Sequence, residues 1–222
     1  MELTREQLIA QKLGLTTVEI WLDPSTSGRG DKAGLVAVGG DGAERWPDGL
    51  RRAYILEDGT ELLPVERWAR KAAEMAKRWG TVRIGAERNR LGDAVKVIIE
   101  SVVPEVLFIG VDATSATGGK AMRADPVKAV SAQGRLIFVG HHPTLEADLT
   151  QWVPSDGDKP DMGIEEVAVA EEGTFTGSPD ALDAMVHGVR SILGLGQSKG
   201  ATMAVGELLD SAGNGGSMWF EG

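Results

Sequence analysis

The stretch Val18-Glu19-Ile20-Trp21-Leu22-Asp23 decides how the chain can fold, and the turn-forming pair Pro24-Ser25 follows it at once. Its apolar and β-favouring residues predict a strand that ends in an acid. A loop over 24–32 is rich in glycine and serine, and two further apolar stretches follow at 33–39 and 51–58. Three strands separated by turn sequences in this order predict an antiparallel meander.

The hydrophobic pattern changes after the meander. Apolar residues recur at helical spacing over 65–79, directly after a proline at a favoured helix start. Strands and helices then alternate. We predict strands at 82–87, 106–111 (buried) and 135–139, and helices at 4–13, 93–103, 125–133, 145–152 and 179–193, the last capped by Ser178 with Pro179 at its first position. This order predicts one α/β domain whose mixed central sheet is flanked by helices.

The composition excludes several kinds of chemistry. The chain has 222 residues, a formal net charge of −10 and no cysteine, so disulfides, thiolate metal sites and a cysteine nucleophile are ruled out. Residues 144–183 hold eleven acids and one base, whereas residues 64–90 are basic. A negative total therefore does not exclude a nucleic-acid partner, because binding depends on local patches. No apolar run has the length of a membrane span.

Acidic residues stand where an α/β protein places its ligands. Asp23 and Glu87 end two predicted strands, and ligands gather at that edge of such sheets. On the last predicted helix, Asp180, Asp183 and His187 share one side, away from the apolar residues. We expect this polar stripe to close over the strand ends.

Such a carboxylate group suits divalent metal chemistry. Mg²⁺ and Mn²⁺ prefer oxygen ligands, and two ions about 4 Å apart can activate a water and stabilise the leaving oxygen of a phosphodiester. The residues alone leave a second interpretation open. In it Asp23 starts an Asx-type turn, Glu87 pairs with an arginine, and the two helix acids only decorate a helix N-terminus.

Nine short sequence pieces occur in the order typical of one protein family. The chain resembles the nuclease domain of phage terminase large subunits, the DNA-packaging proteins of tailed phages. The pieces are Asp23-Pro24-Ser25, Asp31 with Ala33-Gly34-Leu35-Val36, Tyr54-Ile55-Leu56-Glu57-Asp58, Trp68-Ala69, Ala86-Glu87-Arg88-Asn89, Gly119-Lys120 with Arg123-Ala124-Asp125-Pro126-Val127, Gln133-Gly134-Arg135, Leu145-Glu146 with Trp152, and Ser178 to Val186.

This resemblance implies an RNase H-like fold and an endodeoxyribonuclease that uses two Mg²⁺ or Mn²⁺ ions. It would cut concatemeric viral DNA during packaging, with little sequence specificity. Carried onto matching positions, it makes Asp23, Glu87 and Asp183 the catalytic metal ligands. Its other expectations are Asp180 as a further metal ligand, Asp31 as an accessory acid, and DNA contacts from Lys120, Arg123 and Arg88.

The resemblance also implies an organisation and a set of partners. We expect residues 18–193 to form the nuclease domain, with 153–177 as an acidic insertion able to form a hairpin, 1–17 as a linker remnant and 194–222 as a flexible Gly/Ser-rich tail. No Gly-x-x-x-x-Gly-Lys-Ser/Thr motif is present, so the ATPase domain of the same terminase would be a separate part. Double-stranded DNA, the portal and the small terminase subunit are the other expected partners. The expected location is the host cell cytoplasm, outside both membrane and mature virion.

Three alternatives remain at the level of sequence. One is another RNase H-like nuclease of the Holliday-junction resolvase type. Another is a fragment of a sugar-kinase-like phosphotransferase, since Asp23-Pro24-Ser25-Thr26-Ser27 is similar to the phosphate loop of those enzymes. The third is a docking module without activity. Plasmid cleavage with Mn²⁺ that is lost in Asp23→Ala separates the nucleases from the other two.

Overall fold

The computed structural model describes residues 2–25, 32–88, 91–112, 120–152 and 179–195. Within these ranges the strands are β1 (Leu15–Asp23), β2 (Gly34–Asp41), β3 (Ala53–Asp58), β4 (Arg83–Glu87), β5 (Leu107–Val111) and β6 (Leu136–Phe138). The α-helices are α1 (Arg5–Lys12), α2 (Val65–Trp79), α3 (Ala94–Val102), α4 (Lys120–Ala132), α5 (Pro143–Gln151) and α6 (Asp180–Leu193).

The strands form one mixed sheet in the order β5-β4-β1-β2-β3-β6. β1, β2 and β3 pair antiparallel, as the predicted meander requires. β4 joins β1 in parallel, β5 joins β4 in parallel, and β6 joins β3 in parallel at the other side. The predicted α/β class, with a meander followed by parallel strands, is confirmed.

Helices cover both faces of the sheet. On one face Ile20 and Leu22 of β1 pack in a core with Trp68 and Met75 of α2, to which α1 and α3 also contribute. On the other face α4, α5 and α6 pack over β2 and β3 in a second core. Because side chains alternate along a strand, Trp21 and Asp23 point away from α2 and lie on the face that α6 covers.

Three elements differ from their predicted form. The apolar strand β5 is not buried, because it forms an edge of the sheet, and Leu107 is 49% exposed. Helix α4 begins at Lys120 rather than near residue 125 and contains Pro126. Helix α6 begins at Asp180 with Pro179 at its N-cap position, where we predicted Pro179 as the first helical residue; Ser178, the predicted cap, lies outside the described residues.

The predicted boundaries fall partly outside the described residues. The acidic insertion at 153–177 and residues 196–222 of the predicted tail lie there. The predicted N-terminal helix is confirmed as α1, and its Ile9 and Ala10 pack against the core on the α2 face. No helix in the described ranges combines the length and apolar character that crossing a membrane requires.

Candidate active site

Two carboxylates end neighbouring parallel strands. Trp21 pairs with Gly85 and Leu22 with Ala86, and the next residues, Asp23 and Glu87, are the last of β1 and β4. The side-chain alternation of both strands therefore places these two carboxylates on the face that α6 covers. This is the edge at which sequence analysis expected a ligand site.

Helix α6 carries two more carboxylates close to the sheet. Asp180 and Asp183 lie in its first turn and are buried, at 7% and 3% exposure. The close approach depends on Gly34 of β2, where a Cβ atom would stand 1.9 Å from the carbonyl oxygen of Asp180. A second approach occurs at Gly188, whose Cβ would stand 2.9 Å from the Trp21 ring. Glycine at these two positions thus seats the acidic helix on the strand ends.

The first turn of α6 is capped by a carboxylate from another helix. Oδ2 of Asp148, on α5, accepts hydrogen bonds from the backbone N–H groups of Ala181 (3.1 Å) and Leu182 (3.4 Å). These groups have no partner inside the helix, and a negative charge is favoured at this end. Burial raises the pKa of Asp148 above its usual range. Asp148 therefore anchors the turn that carries Asp180 and Asp183.

Asp23 lies within the electrostatic influence of the other predicted acids. Burial raises the pKa of Asp23 well above its usual range, and the negative charge of Asp183 raises it further. The charges of Glu87 and Asp180 act in the same direction, while Lys120 opposes them. Charges influence each other in this way only at short range. Because His187 of α6 lies 3.2 Å from Glu87 and Asp23 ends the neighbouring strand, the acidic end of α6 faces the strand-end carboxylates across one pocket.

Two cations from α4 face the same pocket. Nζ of Lys120 forms an ion pair with Oδ2 of Asp183, and Nη2 of Arg123 stands 3.7 Å from Oδ1. Burial disfavours the charged amine of Lys120, but the charge and hydrogen bond of Asp183 outweigh this and raise the pKa of the lysine. Lys120 reaches the pocket because α4 starts at this residue, one turn before the predicted start.

His187 joins the pocket from the second turn of α6. Its Nε2 lies 3.2 Å from Oε2 of Glu87, and its ring stacks on Trp21 with centroids 6.0 Å apart. Burial raises the pKa of Glu87, but the bond and charge of His187 and the charges of Arg123 and Lys120 leave it below its usual value. Glu87 is therefore ionised at neutral pH and accepts from the imidazole.

Of the remaining predicted site residues, Arg88 is bonded elsewhere and Asp31 is not described. Arg88 donates to Asp112 (Nε to Oδ1, 3.0 Å) and to Asp93 (Nη1 to Oδ1, 3.2 Å), so its guanidinium is engaged by acids at the β5 side. Asp31, the predicted accessory acid, lies outside the described residues. The alternative interpretation had Glu87 paired with an arginine, whereas its side chain is hydrogen-bonded to His187.

The donor set suits a hard divalent cation, although no preformed cage is present. Four carboxylates supply the oxygen ligands that Mg²⁺ and Mn²⁺ prefer, and burial together with the charges of the other three acids raises the pKa of Asp23. Among the described residues, no three of His, Asp and Glu are arranged closely enough to hold a metal ion together. The ammonium group of Lys120 supplies positive charge to Asp183 in this arrangement.

The family assignment follows from the sequence comparison. The sequence model of the terminase RNaseH-like domain matches residues 20–191, which contain every acid of the pocket. The chain belongs to this family. As a terminase RNase H-like domain it has the fold expected from the resemblance, and that fold supports nuclease activity in general.

Other comparisons give more distant similarities. No curated protein matches the chain. A point mutant of the nuclease domain of the large terminase subunit gp2 of bacterial virus Sf6, with manganese and beta-thujaplicinol, is 15% identical over 84% of this chain and 97% of its own, with a TM-score of 0.49. A second structure of that nuclease domain gives 15% identity, the same coverage and a TM-score of 0.47. RuvC of Thermus thermophilus is 16% identical over 81% of this chain and 98% of its own, with a TM-score of 0.41.

Sequence reasoning missed two residues that shape the pocket. Trp21 carries a usable signal, since the strand period of two places it on the same face as Asp23. Asp148 carries none, because its bonds to α6 join residues more than thirty positions apart and depend on how two helices pack. Local patterns do not encode such a contact.

Proposed function

We propose that this domain is a metal-dependent DNA endonuclease that cuts concatemeric viral DNA during genome packaging. Family membership supports the nuclease class, and one structural observation supports the site. That observation is the contact of α6 with the strand ends: His187, one turn after Asp183, lies 3.2 Å from Glu87, which ends β4 beside Asp23 at the end of β1. Carboxylates gathered at the ends of parallel strands are a reason to expect divalent cations there.

In the proposed site the chain's own residues have separate tasks. Asp23, Glu87 and Asp183 would hold the metal ions, with Asp180 as a further ligand, and Asp31 is proposed as an accessory acid. Two bound Mg²⁺ or Mn²⁺ ions would supply an activated water and stabilise the leaving oxygen of the phosphodiester. Lys120 and Arg123 carry positive charge at the pocket, where they would attract the DNA backbone; Arg88 is a third proposed contact.

The proposed partners follow from the terminase context. Double-stranded DNA is the substrate, read through its backbone with low sequence specificity. The ATPase domain of the same terminase, the portal and the small terminase subunit are the proposed protein partners. The domain would act in the cytoplasm of the host cell and would not be part of the mature virion.

The test is cleavage of supercoiled plasmid with Mn²⁺, Mg²⁺ or EDTA. We expect wild-type protein to nick and linearise the plasmid only with a divalent cation. Asp23→Asn and Asp183→Asn should lower the rate by more than about 100-fold, because each removes a charged metal ligand. Asp125→Asn is the matched control, since this exposed acid on α4 pairs with Lys128 outside the pocket. The Asp125→Asn protein should cut the plasmid at the wild-type rate.

Each outcome decides between the candidate functions. Cleavage that persists in both site variants, or an inactive wild type with every cation, would contradict the proposal. A four-way DNA junction provides a second arm of the experiment. Preference for the junction over linear duplex by more than about tenfold would favour the resolvase type over a packaging nuclease. Circular dichroism of each variant confirms that it is folded.

A further inference from the structure

His187 makes contacts to the pocket that the proposed chemistry does not use. It is 7% exposed and lies one helical turn after Asp183 on α6. One ring nitrogen, Nε2, stands 3.2 Å from Oε2 of Glu87, and the ring lies nearly parallel to that of Trp21, with 19° between the planes. The imidazole therefore has both a fixed plane and one hydrogen-bond partner at the strand end.

The Trp21 ring beneath His187 is itself held on several sides. Its Nε1 donates to Oε2 of Glu19 at 2.9 Å, and Glu19, which is 2% exposed, accepts from Arg83 at 2.8 and 3.0 Å. Gly85 of β4 leaves room for the ring, since a Cβ there would stand 2.5 Å from it. Hydrogen bonds from Trp21 and Arg83 to Glu19 therefore link β1 to β4 and restrain the plane of the Trp21 ring.

Glu87 is the pocket acid that most needs such support. It has three rotatable side-chain bonds and ends its strand, whereas Asp183 on α6 is held by Lys120. An ionised carboxylate can only accept, so the Nε2–H group of His187 is the donor in this bond. The bond restrains one oxygen of Glu87 and therefore limits the directions in which the other can point.

We propose that His187 is a positioning residue that orients the carboxylate of Glu87 for divalent metal binding. This inference rests on the proposed nuclease function. Residues that hydrogen-bond a metal-ligating carboxylate commonly change metal affinity about 10–100-fold when they are replaced. His187 is expected to act in this way through its N–H group, with Trp21 fixing the plane of the ring.

Two substitutions separate the hydrogen bond from packing. His187→Phe keeps a flat ring against Trp21 and removes the donor. His187→Gln keeps an N–H donor at the same number of bonds from Cα, on a side chain without an aromatic ring to stack on Trp21. His141→Gln is the control, since this histidine is 76% exposed and pairs with Glu146. The thermal midpoint and near-ultraviolet circular dichroism of each variant report folding.

The primary readout is Mn²⁺ binding to the protein without DNA, measured by electron paramagnetic resonance of the free ion. We expect His187→Phe to weaken Mn²⁺ binding about 10–100-fold, and His187→Gln to stay within about threefold of wild type. The Mn²⁺ concentration that gives half-maximal plasmid nicking should shift by the same factors. The His141→Gln control should match wild type in both measurements.

Failure of this inference differs from failure of the proposed function. Wild-type protein that cuts DNA and binds Mn²⁺, with a His187→Phe variant of equal affinity, overturns the role of His187 and leaves the nuclease intact. Equal weakening in the Phe and Gln variants also overturns it, because the donor would then be irrelevant. Wild-type protein that neither cuts DNA nor binds Mn²⁺ overturns both.

Discussion

Asp23 is the pocket acid whose pKa depends on burial and on the charges of the other three acids. Asp183 has Lys120 and Arg123 beside it, and Glu87 has His187. Asp23 experiences burial and the charges of the other acids, which outweigh the opposing charge of Lys120, and its pKa is raised well above the usual range. A carboxyl group in that position is costly to ionise unless a further cation arrives.

The first residue-scale prediction concerns stability without metal. A raised pKa in the folded state means that ionised Asp23 destabilises the fold, fully above the folded pKa and not at all below the unfolded one. Asp23→Asn should therefore stabilise the protein in EDTA at pH 8 by roughly 1 kcal/mol, or about 2–4 °C in Tm. The gain should disappear as the pH falls through the carboxyl range. Thermal unfolding at several pH values measures it.

Asp183→Asn provides the matched comparison. It removes the charge that pairs with Lys120, so unfolding free energy should fall by roughly 1–3 kcal/mol at pH 8. If Asp23→Asn is destabilising at pH 8, or if both variants respond alike, the charge distribution described for the pocket is wrong.

At the scale of elements, the seating of α6 decides whether the acids meet. The helix has no side-chain cap of its own, and Asp148 of α5 supplies the acceptor for two of its N–H groups. Gly34 lets the same end approach β2. Packing between elements, more than the helix's own sequence, therefore positions Asp180 and Asp183.

The element-scale prediction tests this cap. Asp148→Ala leaves two N–H groups at the start of α6 without their acceptor and should lower the free energy of unfolding by about 1–2 kcal/mol. Asp148→Asn retains a side-chain oxygen as acceptor, so its loss in the free energy of unfolding should be less than half that of Asp148→Ala. Urea unfolding measures both, and equal stability of wild type and Asp148→Ala would show that the cap does not hold α6.

Particular elements show how far the sequence predicts this fold. The meander β1–β3 and the amphipathic helix α2 carry strong local periodicity, and both are confirmed. The polar stripe predicted on α6 is itself buried, because Asp180 to Val189 all lie between the sheet and the neighbouring helices, and the local pattern does not reveal that both sides of the helix are covered. Likewise β5 looks like a buried strand in sequence, yet it is an edge, since local pattern does not reveal which strand lies outermost.

The candidate site divides in the same way. Asp23 and Glu87 could be placed from sequence because parallel strands end at a common edge. The stacking of His187 on Trp21 could not, since it depends on the distance between α6 and β1 that Gly188 permits. Lys120 lies outside the helix predicted over 125–133, because nothing in the local pattern indicates that α4 extends to it.

For the whole molecule, the two faces of the sheet have different electrostatic characters. The basic residues of α2 lie on the face opposite α6, and two of them are engaged, Lys71 with Glu61 at 2.7 Å and Arg78 with Glu57. The pocket itself gathers four acids around Lys120 and Arg123, so its net charge repels a phosphate backbone. Divalent cations would reverse that repulsion, which makes metal binding the central claim of the account.

The most direct test is anomalous diffraction from crystals soaked in Mn²⁺, collected near the manganese absorption edge. The account predicts anomalous peaks among the carboxyl oxygens of Asp23, Glu87 and Asp183, with the amine of Lys120 displaced from Asp183. The peaks should vanish in Asp23→Asn crystals treated identically. Peaks confined to other parts of the molecule, or bound Mn²⁺ that touches none of these three residues, would contradict the account.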